Sequence, residues 1–369
     1  MHWLVLLAAV PSFLIALAAV PFVRRRASQW GLVAKPRADR FHQTATPLGG
    51  GLAIWLGVVA TFAILQLAVA AIVGGWISTA LIPEIVANHL LGLRSSSGRL
   101  WTLLIAATVM LLLGLVDDRR GLDWRTRLIA QIVVAAFMVW QGWRLTLFID
   151  EPTLTVSLSV IWIVGIVNAF NMLDNMDGLA AGVAWIASML LAAVMLLGPH
   201  AEPEGAQLFV AGFLAVLAGA IGGFWVYNKP PASIFMGDAG SYYIGFYIAV
   251  ATMMATFAGN DLPRHAVLAP LCVLAVPIYD TVTVVLIRLR EGRSPFEGDK
   301  NHLSHRLVQL GLSPSEAVAT IYLLTFACGL GALLLHQVNG TGAVVILQMV
   351  GSVLAIVAVL EAAARRRKR

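Results

Sequence analysis

The sequence predicts an all-α, polytopic integral membrane protein with about eleven transmembrane helices, forming a single domain over residues 1–369. Three observations predict this class: 59 % of the residues are hydrophobic, only 12 % are charged, and the mean hydropathy is +0.85. A soluble domain of this size carries about 25 % charged residues. The composition therefore excludes a disordered chain, a collagen and a disulfide scaffold. No nucleic-acid partner is predicted, because the basic residues lie between apolar runs.

Eleven apolar stretches are long enough to cross about 30 Å of hydrocarbon. They cover residues 2–22, 48–73, 100–116, 128–142, 154–172, 178–198, 206–227, 240–259, 264–287, 317–336 and 342–360. The first is not expected to be a cleaved export signal, because no basic residue precedes it and Arg24 to Arg26 follow it. Ser313, Pro314 and Glu316 form a capping-box pattern that predicts the start of the tenth helix.

The basic residues predict the orientation of these spans. Eleven crossings put the two termini on opposite sides of the membrane. With the N-terminus outside, only Arg94, Arg99, Arg144 and Arg264 of the 25 Lys and Arg residues fall in outer segments. Because basic residues favour cytoplasmic loops, we predict an N-terminus outside and a C-terminus in the cytoplasm.

Six aspartates fall near the predicted inner ends of the spans. They are Asp117, Asp118, Asp174, Asp177, Asp238 and Asp280. An aspartate at the centre of a bilayer costs about 2.5 to 3.5 kcal/mol, so such residues usually have a function. Two carboxylates about 5 Å apart repel by roughly 3 kcal/mol, which a divalent cation would relieve. The alternative for Asp117 and Asp118 is a solvated helix end neutralised by Arg119 and Arg120.

The segment 168–178 is the most informative stretch of the chain. Asn168, Asn171, Asp174 and Asp177 recur every three residues, so they form a polar stripe if the fifth helix continues through them. Such a stripe favours binding of a polar ligand or an ion. The alternative is an Asn- and Asp-rich turn between two spans, with Gly178 permitting a sharp exit.

Two glycine-rich segments also lie at the inner ends. The first, residues 233–241, carries Phe235 and Asp238; an aspartate can bind Mg²⁺, and an aromatic ring can stack on a base. The second, residues 46–51, opens the second span, where unpaired backbone N–H groups would bind an anion. A plain turn explains residues 46–51 equally well.

The last large inner loop contains two histidines. His302 and His305 could supply half of a zinc site, but the sequence shows no third ligand of suitable spacing. The nearby Lys300 and Arg306 favour phosphate binding or proton transfer by these histidines instead.

Together these motifs resemble the polyprenyl-phosphate N-acetylhexosamine-1-phosphate transferase family, which is glycosyltransferase family 4. The resemblance runs from His42 through all the segments above to the histidine loop, and so covers nearly the whole chain. Residues 292–302 resemble the branch that uses UDP-N-acetylglucosamine more than the branch that uses UDP-MurNAc-pentapeptide. That second branch remains an alternative, as does, from another class, a secondary transporter or lipid flippase, which Asp280 would suit.

The resemblance implies transfer of a sugar 1-phosphate from a UDP-N-acetylhexosamine to undecaprenyl phosphate, with release of UMP. It implies Mg²⁺ as cofactor, with Mn²⁺ as an alternative, and a cytoplasm-facing site in the bacterial inner membrane; a homodimer is left open. Asp117 and Asp118 would serve catalysis and the metal, with Asp117 acting as base or as nucleophile. Asp238 would be a principal metal ligand. The other implied catalytic residues are Asp174, Asp177, His302 and His305, with the two aspartates lining the nucleotide-sugar site and the histidines on the diphosphate. The implied substrate-binding residues are His42, Asn168, Asn171, Phe235, Lys300 and Arg306, with Phe235 against uracil.

The chain departs from the family pattern at two places. Relatives usually carry His-x-His-His in the last loop, whereas this chain has Ser304 in place of a histidine. Tyr242 and Tyr243 stand where smaller apolar residues are usual, and we expect them to affect the lipid groove.

Overall fold

The computed structural model describes residues 2–34, 45–78, 87, 90–145, 151–197, 204–255, 263–298 and 300–367. These residues form fifteen α-helices and confirm the all-α class. The helices are α1 (His2–Leu7), α2 (Ala9–Arg26), α3 (Gly50–Val73), α4 (Leu90–Ser95), α5 (Ser97–Arg120), α6 (Trp124–Trp140), α7 (Pro152–Leu173), α8 (Leu179–Leu197), α9 (Glu204–Asn228), α10 (Gly237–Met254), α11 (Ala269–Val273), α12 (Ala275–Arg290), α13 (Leu303–Gln309), α14 (Pro314–Leu334) and α15 (Gly340–Arg367). A 3₁₀ helix, Arg264–Leu268, precedes α11.

A very short pair of strands forms part of one end of the bundle. Strand β1 (Val33–Ala34) pairs antiparallel with β2 (Thr46–Pro47), so that Val33 faces Pro47 and Ala34 faces Thr46. This pairing brings the segment before α3 back against the segment after α2.

The helices lie where the spans were predicted, but fewer than eleven of the described helices meet the length and hydropathy expected of a membrane span. Within the described residues, eight helices are long and apolar enough to cross a membrane: α2, α3, α5, α7, α8, α9, α14 and α15. The 3₁₀ helix with α11, followed by α12, adds a ninth candidate that bends by 68°. The remaining predicted spans coincide with α6, which has 17 residues, and with α10, which carries Asp238. Eleven spans therefore stay a prediction.

Helix α10 lies at the centre of the bundle. It packs against α3, α5 and α7, and nearly all of its residues are buried, including Tyr242, Tyr243 and Tyr247. Close packing depends on glycine at the crossing with α5: a Cβ on Gly114 would lie 2.4 Å from the Cα of Ala239. This crossing fixes the end of α5 against the start of α10.

Gly114→Ala is expected to force α5 and α10 apart. Overpacking of this kind costs about 1 to 3 kcal/mol, so the unfolding temperature in detergent should fall. Gly98→Ala is the matched control, because it lies on the same helix and its added Cβ would meet nothing within 4 Å. Equal unfolding temperatures for the two variants would contradict the close crossing.

The start of α14 confirms the capping-box prediction. Ser313 Oγ accepts a hydrogen bond from the backbone N–H of Glu316 at 3.3 Å, and the Glu316 carboxylate accepts one from the Ser313 N–H at 2.7 Å. Pro314 occupies the first helical position, where its missing N–H has no helical partner to lose.

Candidate active site

Three helix ends meet at one end of the bundle and bring several of the predicted residues together. They are the last turn of α5, the last turn of α7 and the first turn of α10, which carry Asp118, Asn171 and Asp238. These residues are 53 or more positions apart in the sequence, yet hydrogen bonds connect all three segments. The structure thus confirms that the acidic motifs converge.

Asp118 caps the N-terminus of α10. Its Oδ1 accepts a hydrogen bond from the backbone N–H of Asp238 at 2.9 Å, and its Oδ2 accepts one from the N–H of Ala239 at 3.2 Å. A negative charge is stabilised at this position by the unpaired N–H groups and the helix dipole. Gly237 makes the approach possible: its φ is +75°, and a Cβ there would lie 2.5 Å from Asp118 Oδ2.

Asp117 is buried, and hydrogen bonds occupy both of its oxygens. Oδ1 accepts from the backbone N–H of Leu122 at 2.8 Å. Oδ2 accepts from the hydroxyl of Tyr242 at 2.7 Å and lies 3.3 Å from Nη1 of Arg127. The structure therefore gives Asp117 a cationic partner, Arg127.

Tyr242 and Arg127 were not predicted as site residues. Tyr242 is 125 positions from Asp117, so no local pattern connects them. Arg127 could have been found from the sequence, because Gly121 and Asp123 are residues typical of a turn and of a helix N-cap. In the structure Gly121 has φ +66°, and Asp123 caps α6 by accepting a hydrogen bond from the N–H of Arg125. That sharp reversal returns the first turn of α6 to the end of α5.

Asp238 contacts the polar end of α7. Its Oδ1 accepts a hydrogen bond from Asn171 Nδ2 at 2.7 Å, and the same amide lies 3.1 Å from Ser241 Oγ. Asn171 thereby orients the carboxylate of Asp238, which remains half-buried.

Three aspartates lie together at these helix ends. The carboxylates of Asp117 and Asp238 lie near the buried carboxylate of Asp118, and Arg127 pairs with Asp117. Among the residues that the structure describes, no three His, Cys, Asp or Glu side chains form a complete metal cage. A pair of carboxylates still fits Mg²⁺, which usually takes one or two from the protein and fills its other positions with water and substrate phosphates.

The predicted polar stripe of α7 is wrong in its second half. The helix ends at Leu173, and Asp174 is its C-cap, so Asp174 and Asp177 lie in a turn rather than on the helix. Asp177 Oδ2 accepts from the backbone N–H of Ala232 at 2.9 Å. Gly178 has φ +73°, which confirms the sharp exit.

The helical half of the stripe faces a neighbouring helix as well as the site. Asn168 Nδ2 donates to Gln131 Oε1 of α6 at 2.6 Å and to the carbonyl of Val164 at 2.8 Å. Asn168 therefore connects α7 to α6, whereas Asn171, one turn later, reaches Asp238.

The predicted anion site before α3 is wrong for two of its N–H groups. Gly50 N–H donates to the carbonyl of Phe235 at 2.9 Å, and Gly51 N–H donates to that of Met236 at 3.1 Å. The segment is a turn that fixes residues 235–236. The partly buried ring of Phe235 packs against a small apolar cluster of Ala27, Leu32, Ala34 and Leu48.

The histidine segment is anchored by Asp280 of α12. His302 Nδ1 lies 2.9 Å from Asp280 Oδ2, and the backbone N–H of Leu303 donates to Oδ1 at 2.5 Å. A carboxylate partner favours a proton on Nδ1 and so fixes the orientation of the ring. His305 is also buried, with its ring centroid 6.3 Å from that of His302. Asp280, which the sequence linked to transport, is thus a partner of His302.

A short bridge joins the histidine segment to the turn after α7. Ser304 Oγ donates to Asn175 Oδ1 at 2.5 Å, and Asn175 Nδ2 donates to the carbonyl of Met172 at 2.8 Å. Ser304 is buried and therefore serves as a connection between the two segments.

The other predicted residues of this region are placed differently. Arg306 is buried, with its Nε 2.9 Å from Glu361 Oε1, so it is not brought to an open surface. Lys300 is exposed at the same end of the bundle. His42 lies outside the described residues.

An apolar groove of about 450 Å³ runs beside this site, between α7 and α12. It is lined by Ile161, Trp162, Gly165 and Ala169 of α7 and by Ile278, Thr281 and Val282 of α12, among others. Ala169 and Thr281 directly follow Asn168 and Asp280 in sequence. The groove therefore includes residues that neighbour two of the polar residues in sequence, and it continues along both helices.

Comparisons with known proteins point in one direction. The sequence model of glycosyl transferase family 4 matches residues 100–256. A probable undecaprenyl-phosphate N-acetylglucosaminyl 1-phosphate transferase of Bacillus subtilis (strain 168) is 31 % identical over 342 residues, which cover 90 % of this chain and 85 % of that protein. The decaprenyl-phosphate N-acetylglucosaminephosphotransferase of Mycobacterium tuberculosis (strain ATCC 25618 / H37Rv) is 36 % identical, covering 84 % and 77 %. The undecaprenyl-phosphate alpha-N-acetylglucosaminyl 1-phosphate transferase of Escherichia coli (strain K12) is 28 % identical, covering 82 % and 76 %.

Proposed function

The chain belongs to the polyprenyl-phosphate N-acetylhexosamine-1-phosphate transferases of glycosyl transferase family 4, and from this premise we propose that it transfers N-acetylglucosamine 1-phosphate from UDP-N-acetylglucosamine to a polyprenyl phosphate. One observation carries the proposal: Asp118 accepts a hydrogen bond from the backbone N–H of Asp238 at the end of the bundle where α7 ends. Ser304, two residues after His302, bonds to Asn175 in the turn after α7. A pair of acids and a buried histidine next to an apolar groove suit a reaction between a soluble diphosphate and a lipid phosphate.

The proposed reaction forms one P–O bond and breaks another. An oxygen of the lipid phosphate attacks the β-phosphorus of the UDP-sugar, and the bond to the α-phosphate oxygen breaks, so that UMP leaves. Asp117, held by Tyr242 and Arg127, would act on the lipid phosphate as base or nucleophile. His302, oriented by Asp280, would hold the diphosphate, and Lys300 would add a positive charge from the exposed loop.

The remaining predicted residues keep their proposed places around the donor. Asp174 and Asp177, in the turn after α7, would line the nucleotide-sugar site, and the ring of Phe235 would pack on uracil. Arg306 is buried, so we expect it to affect the substrate through its partner residues rather than by direct contact.

Asp118 and Asp238 would hold the proposed Mg²⁺, with Mn²⁺ as the alternative. When bound, the ion would neutralise charge on the diphosphate and on the departing UMP. The proximity of Asp118 and Asp238 supports this assignment, because a cation between them would offset repulsion between their carboxylates.

We place the site at the cytoplasmic face of the bacterial inner membrane. The placement rests on eleven spans with the N-terminus outside, which put the inner ends of α5, α7 and α10 on the side that carries most Lys and Arg residues. A UDP-sugar is water-soluble, so the site has to be open to the compartment that holds it.

The apolar groove is the proposed site of the polyprenyl chain. Gly165→Leu is expected to place a side chain in this groove without a clash, because a Cβ at Gly165 would meet nothing within 4 Å. The KM for undecaprenyl phosphate should rise by about tenfold, which corresponds to the loss of about 1.4 kcal/mol of binding. Gly165→Ala is the control, and an unchanged KM in the leucine variant would remove the groove from the acceptor site.

A single assay tests the function. Purified protein is mixed with Mg²⁺, undecaprenyl phosphate and, separately, UDP-N-acetylglucosamine, UDP-N-acetylgalactosamine or UDP-MurNAc-pentapeptide, and UMP is measured. We expect release with UDP-N-acetylglucosamine, loss of release on chelation, and recovery when Mg²⁺ is restored. No UMP with any donor would refute the proposal, and release with the pentapeptide alone would move the chain to the other branch.

A further inference from the structure

A buried carboxylate on the last helix has no place in the reaction described so far. Glu361 lies near the end of α15 and is 8 % exposed, whereas its neighbours Val359 and Leu360 are 66 % and 55 % exposed. A charged side chain that is buried on a membrane helix needs a partner of opposite charge. Glu361 therefore marks the face of α15 that packs against the protein.

The partners of Glu361 come from two other helices. Its Oε1 lies 2.9 Å from Nε of Arg306, which is on α13 and is 4 % exposed. Its Oε2 accepts a hydrogen bond from the hydroxyl of Tyr279 on α12 at 3.3 Å. One carboxylate thus connects the C-terminal helix to both elements that hold the histidine segment.

The ion pair continues to His302. Nη2 of Arg306 donates to Thr283 Oγ1 at 3.0 Å and lies 3.8 Å from Asp280 Oδ1. Asp280 in turn holds His302 through its other oxygen, Oδ2. The guanidinium of Arg306 is therefore shared between two carboxylates, and its closer contact is with Glu361.

We propose, on the basis of the function above, that Glu361 is a positioning residue for the transfer reaction. By holding Arg306, Glu361 prevents the guanidinium from pairing fully with Asp280 and competing with His302 for that carboxylate. Without the negative charge of Glu361, Asp280 is the charged partner that remains for Arg306, beside the neutral oxygens of Asn301 and Thr283. His302 then loses its fixed orientation.

A double-mutant cycle in the full-length protein tests whether Glu361 acts on His302 through Arg306 and Asp280. Glu361→Gln keeps the size of the side chain and removes its charge, and we expect kcat for UMP release to fall by about tenfold, with the KM for UDP-N-acetylglucosamine within about twofold. In a His302→Ala background the same substitution should cause no further loss of kcat, because Glu361 acts on the reaction through His302. Glu361→Asp, which keeps the charge, should recover part of the rate.

A second readout does not depend on turnover. Labelling of His302 by diethyl pyrocarbonate, measured by peptide mass spectrometry, should increase several-fold in Glu361→Gln, because the imidazole is released from Asp280. Val359→Ala, two residues earlier on the exposed face, should match the wild type in both measurements.

The outcomes separate this inference from the proposed function. Wild-type rate and labelling in Glu361→Gln, or a full additional loss in the His302→Ala background, would overturn the positioning role while leaving the transferase assignment intact. Absence of UMP release by the wild type would refute the function, and the labelling would still decide whether Glu361 holds His302. If the glutamine variant does not fold, the cycle is run with Glu361→Asp, for which a smaller but equally non-additive loss is expected.

Discussion

Asp238→Asn is expected to lower the rate of UMP release by about 10³-fold or more. Asparagine can still accept the hydrogen bond from Asn171, but it lacks the charge that would hold a divalent cation against the diphosphate. Asp118→Asn should have a comparable effect, since it also removes a carboxylate that faces the first turn of α10. Initial rates of the purified full-length variants at saturating Mg²⁺ measure both losses.

The control for these variants is an acid-to-amide change at the surface. Glu291→Gln removes an exposed carboxylate that pairs with Arg293 in the loop after α12, and should leave the rate within about twofold. Thermal unfolding in detergent shows whether each variant remains folded. Folded Asp118→Asn and Asp238→Asn proteins with wild-type rates would exclude the proposed cation site.

His302→Ala is expected to lower turnover of UDP-N-acetylglucosamine by about 10²-fold, a typical loss when one electrostatic contact to a reacting group is removed. Asp280→Asn should reproduce a large part of this loss, because Asp280 holds the Nδ1 side of the ring. The values of kcat/KM for the UDP-sugar measure both effects.

A histidine away from the site provides the comparison. His265, in the 3₁₀ helix, contacts the carbonyl of Val338 at 2.9 Å, and His265→Ala should change kcat/KM by less than about twofold. Equal rates for His302→Ala and wild type would show that the imidazole does not contact the substrate. Normal turnover in Asp280→Asn alone would show that the carboxylate is not needed to orient the ring.

The sequence predicted the architecture well because hydropathy and charge act locally along the chain. Each predicted span coincides with a helix or with the bent pair, and the convergence of Asp118 and Asp238 follows from both motifs being placed at inner helix ends. The capping box before α14 was likewise readable, because all of its residues lie within four positions.

The remaining errors arise from contacts between distant segments. The N–H groups of Gly50 and Gly51 bind carbonyls some 185 positions later, so the turn could not be distinguished from an anion site. The end of α7 at Leu173 depends on the packing of the turn beyond it, where Asp177 binds residue 232. The role of Asp280 was hidden because its partner, His302, lies 22 positions away, just before a different helix.

The central position of α10 has a consequence for biogenesis. A segment with three tyrosines and an aspartate is poorly suited to face lipid, and its neighbours α3, α5 and α7 are all synthesised before it. All three neighbours are thus available when α10 is synthesised, and we expect the insertion of this segment to depend on them. Asp118 and Asp238 meet only at that late step, so a truncated translation product ending before residue 237 would contain half of the acidic pair and no working centre.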